Sequence, residues 1–215
     1  MRRVDDSFAD PLELRADSLL GVPGLVDAVV AGNIQVTNAL GTGLIETAAI
    51  MPFLPGLCRK LLGQSMRLPS VATWWCGQDY ALNWVLDHLE QIVIKPAFPS
   101  RAMEPVFGSE MSSMEKQRLI SRLRSRSFDY VAQERVALST APVWDHGHIH
   151  ARSLMLRTYV LNTGFGWRAL PGGLVRVAGD AGNVVSMQRG GHSKDAWVIW
   201  DSPVEAGPHP PSAPI

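Results

Sequence analysis

Ile92-Val93-Ile94-Lys95-Pro96 reads as a buried apolar strand that closes on a lysine and is stopped by a proline. Working outward, a second apolar run, Tyr130-Val131-Ala132, begins another strand and ends in Gln133-Glu134. Between them Ser112-Ser113-Met114-Glu115 is a capping box, and the helix it opens runs to about Arg126 with Leu119, Ile120 and Leu123 apolar. Upstream, residues 78–89 predict a helix with Ala81, Leu82, Val85, Leu86 and Leu89 inward. Further back come a helix over residues 23–31, a short strand over 34–37, and a helical stretch over 46–62 that Pro52 and Pro55 must interrupt or delay. The proline-rich patch from Lys95 to Gly108 reads as a loop or irregular hairpin. From Ser153 the pattern is β, over 153–161, 167–170, 174–178, 184–187 and 196–200. Pro171-Gly172-Gly173 and residues 179–182 are the expected turns. Helices packed on one side of a mainly antiparallel sheet give an α+β fold.

Composition bounds the function. The chain has 215 residues, 46% hydrophobic and 19% charged, which excludes disordered, collagen-like and coiled-coil classes. Twenty basic and twenty acidic residues leave a formal net charge of zero, so neither nucleic acid nor an anionic membrane is an expected partner. The charged start has no apolar signal region, and Cys58 and Cys76 make no disulfide framework, so a cytoplasmic location is expected. Residues 202–215 hold five prolines and read as a disordered tail after a domain over 1–200.

Five stretches could carry chemistry. A lysine at the end of an apolar strand either leaves for solvent or projects into a cleft and holds phosphate as a point charge. Gln133-Glu134 either starts a polar turn or offers backbone groups to a purine and a carboxylate to a ribose. The opening segment, with Arg3, Asp5, Asp6, Asp10, Glu13 and Asp17, is either a solvated charged segment or a source of oxygen ligands for magnesium-bound phosphates. The stretch Met187 to Asp195 combines Gly190-Gly191 with Arg189 and Lys194 but has neither P-loop nor GxGxxG spacing. His146, His148 and His150 alternate as zinc ligands on one strand would, yet a flexible loop is the simpler reading. No GxSxG or nucleophilic cysteine signature exists, and Cys76 after Trp74-Trp75 reads as core packing.

In order, the stretches RRVDD…DPLELRADS, GVPGLVDAV, NALGTG, PSVATWWCGQ, VIKPAF, YVAQE, LMLRTYVL, PGGLVRVA and SMQRGGHSKDAWV resemble the C-terminal part of the circularly permuted ATP-grasp proteins, over about residues 2–200. That group is related at fold level to glutathionylspermidine synthetase and glutathione synthetase. The resemblance implies an ATP-grasp-type fold and an ATP- and Mg²⁺-dependent carboxylate–amine ligase working through an acyl phosphate. Its substrates would be a small-molecule carboxylate and an amine. It implies that Lys95 binds phosphate, that Gln133 and Glu134 form the hinge holding adenine and ribose, and that Arg157 faces the transferred phosphoryl group. Arg3 and Asp5, with Glu13 and Asp17, resemble the Arg-x-Asp and later acidic pair that hold Mg²⁺, with Arg3 on the catalytic side of that set. Lys194 is a further nucleotide-binding candidate, while Arg176 and Arg189 carry no assigned role.

Two departures qualify the resemblance. Ala97-Phe98-Pro99-Ser100-Arg101 stands where related ligases carry a glycine-rich flap, and Asp17 stands where the last metal ligand is typically asparagine. Met1 falls within the first motif, so the expectation is a chain whose fold lacks an N-terminal region: a fragment, a late start or a truncated paralogue. The alternative function is then a noncatalytic nucleotide-binding or assembly module.

Overall fold

A computed structural model describes residues 8–98, 103–145, 147–179 and 191–199. Arg3, Asp5, His146, Arg189, the expected strand at 184–187 and the tail lie outside the described residues. The chain divides into two units, Met1–Val136 and Ala137–Ile215.

In the first unit β1 (Thr73–Trp75), β2 (Ile92–Pro96), β3 (Val106–Phe107) and β4 (Tyr130–Glu134) form an antiparallel sheet in the order β1-β4-β2-β3. Side chains alternate across its two faces. Ile92, Ile94 and Ala132 point to one face and meet Val85 and Leu89, from and just after α3 (Asp79–Asp87), and Leu119 and Leu123 of α4 (Ser113–Ser125). Each large aliphatic side chain buried there contributes about 1.5–3 kcal/mol. Helix α4 starts as its sequence dictates: Ser112 Oγ accepts the Glu115 N–H at 3.4 Å, and the Glu115 carboxylate accepts the Ser112 N–H at 2.8 Å. On the same face Trp74 stacks on Trp84 at 3.9 Å between ring centres. Gly108, which follows β3, packs so tightly that an added Cβ would lie 1.6 Å from the Leu89 carbonyl oxygen. Its role is close packing.

The opposite face carries Thr73, Trp75, Val93, Lys95, Val131 and Gln133, as the register requires. A 3-10 segment, Ala48–Phe53, lies against it: the Ala49 N–H donates to the Ala97 carbonyl at 3.1 Å, and Phe53 meets Trp75 edge to face at 6.3 Å. Pro52 sits inside that segment and Pro55 in the first turn of α2 (Leu54–Leu62), so the prolines delay the α-helix as expected.

Helix α1 (Leu25–Val30) is shorter than its sequence suggests and is anchored by Asp10. The fully buried Asp10 carboxylate accepts N–H groups from Leu12 at 2.9 Å, Gly24 at 3.2 Å and Val26 at 2.9 Å. These bonds, that of Val26 first, outweigh burial and hold its carboxyl below the ordinary value of 3.8. The expected strand at 34–37 does not form: no described strand pairs with it, and an unpaired tetrapeptide leaves its backbone groups to water.

In the second unit β5 (Thr140–Asp145), β6 (His148–Asn162), β7 (Trp167–Val177) and β8 (His192–Asp195) form an antiparallel sheet in chain order. His148 and His150 are strand residues here, where a loop was the simpler expectation. Pro171-Gly172-Gly173 does not turn the chain. Instead β7 runs through it, with four steps from Ala169 to Gly173 facing two from Thr158 to Val160. The surplus forms a bulge in which Gly172 takes φ 146°, a conformation open to glycine. The true turn lies at 163–166, where the Thr163 N–H donates to the Gly166 carbonyl at 3.1 Å. The last strand ends at Asp195, not over 196–200 as the pattern suggested, and 196–199 has no ladder. Lys194 Nζ on β8 donates to the Pro142 carbonyl on β5. A flat four-stranded sheet would hold those strands about 14 Å apart, so this sheet curls until its two edges approach. Among the described residues no helix is long and apolar enough to cross a membrane.

Asp10→Ala lowers the melting temperature clearly, whereas Asp17→Ala, at an exposed ion pair, changes it by about 1 °C or less. The stability that Asp10 supplies is complete above its ordinary pKa and is lost as pH falls through its depressed folded value, so the Asp10→Ala deficit shrinks in acid. Thermal melts of both variants at neutral pH and near pH 3 check this. Burial pushes the Cys76 thiol up to about 12, so Cys58 reacts first with a thiol reagent and Cys76 only on unfolding; labelling read by mass spectrometry tests the order.

Candidate functional site

Lys95 and Gln133 sit on adjacent strands. Val93 is the direct partner of Gln133, and Lys95 lies two residues further along β2, so both side chains share one sheet face. Lys95 Nζ donates to Gln133 Oε1. The Gln133 amide is buried and spoken for on its other side, donating to Thr73 Oγ1 at 3.1 Å and Met51 Sδ at 3.2 Å. Its carbonyl oxygen is therefore turned toward the ammonium. Lys95 meets no carboxylate among the described residues, and burial holds its pKa below the ordinary 10.5. A cation taken partly out of water and held by one neutral amide is electrostatically under-compensated.

Glu134 follows Gln133 but projects from the other face of β4, where it is exposed opposite Ile92. Its backbone N–H is taken by the Ala72 carbonyl at 2.9 Å. Of the two residues expected to form the hinge, then, only Gln133 shares the face of Lys95. Sequence reading missed Thr73 and Met51, which fix the amide; β1 is three residues long and offers no periodicity to find it by.

The acidic opening segment divides. Asp10 is a structural anchor. The Asp17 carboxylate is gripped by Arg15 through Nε–Oδ1 at 2.5 Å and Nη2–Oδ2 at 3.0 Å, which lowers its pKa. Glu13 is exposed on a turn. For a Mg²⁺ ion, Glu13 could supply an oxygen directly, while Asp17 would first have to leave Arg15. Among the described residues, which do not include His146, no group of three or more His, Cys, Asp or Glu side chains is placed to hold a metal.

In the second unit Arg157 on β6 pairs with Leu174, and Arg176 pairs with Met155, so the two arginines are diagonal neighbours on one face. The Arg176 Nε is buried with no acceptor, and neither guanidinium has a partner among the described residues. Arg176 had no assigned role from sequence; the diagonal register beside Arg157 is the signal, and it needs the strand pairing to be visible. Lys194 lies on the other face, with Val175 and Leu156.

The family model described as circularly permuted ATP-grasp type 2 matches residues 1–178. An uncharacterised protein of Synechocystis sp. is 37% identical over 202 residues, covering 94% of this chain and 42% of that protein. An uncharacterised protein of Mycobacterium tuberculosis is 38% identical over 199 residues, covering 92% of this chain and 36% of its own length. A second one from the same organism is 32% identical over 198 residues, covering 92% of the chain and 22% of its length. The chain thus spans less than half the length of these relatives, and the matched segment runs through both units. On that match across its ordered motifs, this chain belongs to the circularly permuted ATP-grasp type 2 family.

Proposed function

We propose that this chain supplies the nucleotide-clamping surface of an ATP-dependent carboxylate–amine ligase. The observation that carries the reading is the partly desolvated Lys95 ammonium, met among the described residues only by the Gln133 amide. A triphosphate would give that ammonium the counter-charge it lacks, replacing solvation with a charge-assisted bond. Gln133 holds the lysine on that face, while Glu134, its neighbour in the hinge the resemblance implies, projects from the other. Arg157 and Arg176 offer two guanidiniums that have no counter-ion among the described residues, suited to the charge that develops on a transferring phosphoryl group.

The reaction this suits has two displacements. A carboxylate oxygen attacks the γ-phosphorus and ADP leaves, giving an acyl phosphate. An amine nitrogen then attacks the acyl carbon, phosphate departs, and the nitrogen loses a proton to complete the amide. Mg²⁺, when bound with the nucleotide, neutralises phosphate charge; Glu13, with Asp5 and with Asp17 once freed from Arg15, are its proposed protein ligands. Arg3 is proposed to act beside that set.

MgATP at about 100 times its dissociation constant raises the melting temperature by roughly 5–10 °C. Lys95→Met abolishes most of that shift. Without nucleotide the same variant is more stable than the wild type by about 1 kcal/mol, since methionine suits the partly buried site. The sign with pH follows from the lowered pKa: the unfolded chain holds the Lys95 proton where the folded one has lost it, so wild-type stability rises as pH climbs from the folded value toward 10.5. The gap to Lys95→Met narrows over that range. Differential scanning fluorimetry across pH, with and without MgATP, reads both effects. An undiminished MgATP shift in Lys95→Met overturns the assignment.

A further inference from the structure

The face of the second sheet that carries the two arginines also carries a carboxylate. Direct partners on antiparallel strands share a face. Arg157 on β6 pairs with Leu174 on β7, and Leu174 pairs in turn with Asp195 on β8, so these three form one row across the sheet. The next row is Met155, Arg176 and Ser193. Arg176 is therefore a diagonal neighbour of both Arg157 and Asp195. In a flat sheet the Arg157 and Asp195 backbones would stand about 10 Å apart with Leu174 between them, a span their side chains can close onto a small molecule. Asp195 is exposed, while Arg157, Leu174 and Arg176 are half-buried. Among the described residues Asp195 forms no ion pair with either arginine, and the Arg176 Nε is buried without an acceptor. Two cations and a carboxylate thus share one face without pairing with one another.

We infer that this face binds a short amino acid as its zwitterion: Arg157 and Arg176 take the carboxylate, Asp195 takes the ammonium, and Leu174 lies under the carbon between them. The buried Nε points to a ligand, because an N–H taken out of water costs free energy until an acceptor reaches it. A guanidinium donates two parallel bonds to a carboxylate, which fits that acceptor. Asp195 sets the class. Phosphate would bring a second negative charge against it, and a plain aliphatic acid would leave it unused, whereas an ammonium on the same molecule meets it. For its catalytic meaning the inference rests on the ligase reading: it names an amino acid as the carboxylate substrate, held beside the guanidiniums suited to the transferring phosphoryl group. Binding itself needs no ATP.

The test is an NMR titration of the full chain with glycine and with β-alanine, without nucleotide, reading the Arg176 Nε–H resonance. At least one of the two binds in the millimolar range and moves that resonance, and acetate and methylammonium each bind at least tenfold more weakly. Asp195→Asn weakens the amino acid about tenfold without weakening acetate. Arg176→Met weakens both. Asp195 is exposed, so its variant keeps the test decisive if the arginine variant folds poorly. The inference is overturned if the folded wild-type chain responds to neither amino acid, if acetate binds as tightly as the amino acid, or if Asp195→Asn leaves amino-acid affinity within twofold. Amino-acid binding without a MgATP shift would remove the ligase reading and leave this site standing; a MgATP shift with no amino-acid response would do the opposite.

Discussion

An ammonium held below lysine's ordinary pKa by burial, met among the described residues only by an amide oxygen, is the constraint on which the candidate site of the first unit rests. Lysine is rarely kept in such a place, because the stem packs readily but the charge loses hydration. The arrangement holds because Gln133 is itself fixed by Thr73 and Met51, so the acceptor cannot turn away. In the proposed function, the stability given up locally is recovered when an anion binds with little reorganisation.

The division of labour between the two sheet faces makes this possible. Ile92, Ile94 and Ala132 tie the strands to α3 and α4 on one side, which leaves the other side free to carry polar groups at the same residue spacing. Lys95 and Gln133 are then brought together by register alone: they are 38 residues apart in sequence but diagonal neighbours in the sheet. The second unit uses the same device. Its sheet presents Arg157, Arg176 and Asp195 on one face and Arg152, His192 and Lys194 on the other.

Much of this was legible in the sequence where the signal is local. The capping box at Ser112, the apolar spacing of residues 78–89, the strands ending at Lys95 and Glu134, and the α+β class all rest on short-range preferences that tertiary packing reinforced. What failed depended on partners far along the chain. Residues 34–37 have strand composition but, among the described residues, no strand beside them, and Pro171-Gly172-Gly173 has turn composition but is spent on a bulge. Composition treated Asp10, Glu13 and Asp17 alike as acidic. The fold buries Asp10 under three N–H groups, pairs Asp17 with Arg15, and leaves Glu13 in solvent. Gln133 and Glu134 are adjacent in sequence, and strand alternation sends them to opposite faces.

The most direct measurement is an NMR titration of the Lys95 side-chain ammonium, with and without MgATP. The account expects Lys95 to titrate below 10.5 in the free chain and to move upward when the nucleotide binds, as phosphate restores the counter-charge that burial withholds. A Lys95 that titrates at its ordinary value and ignores MgATP would contradict it.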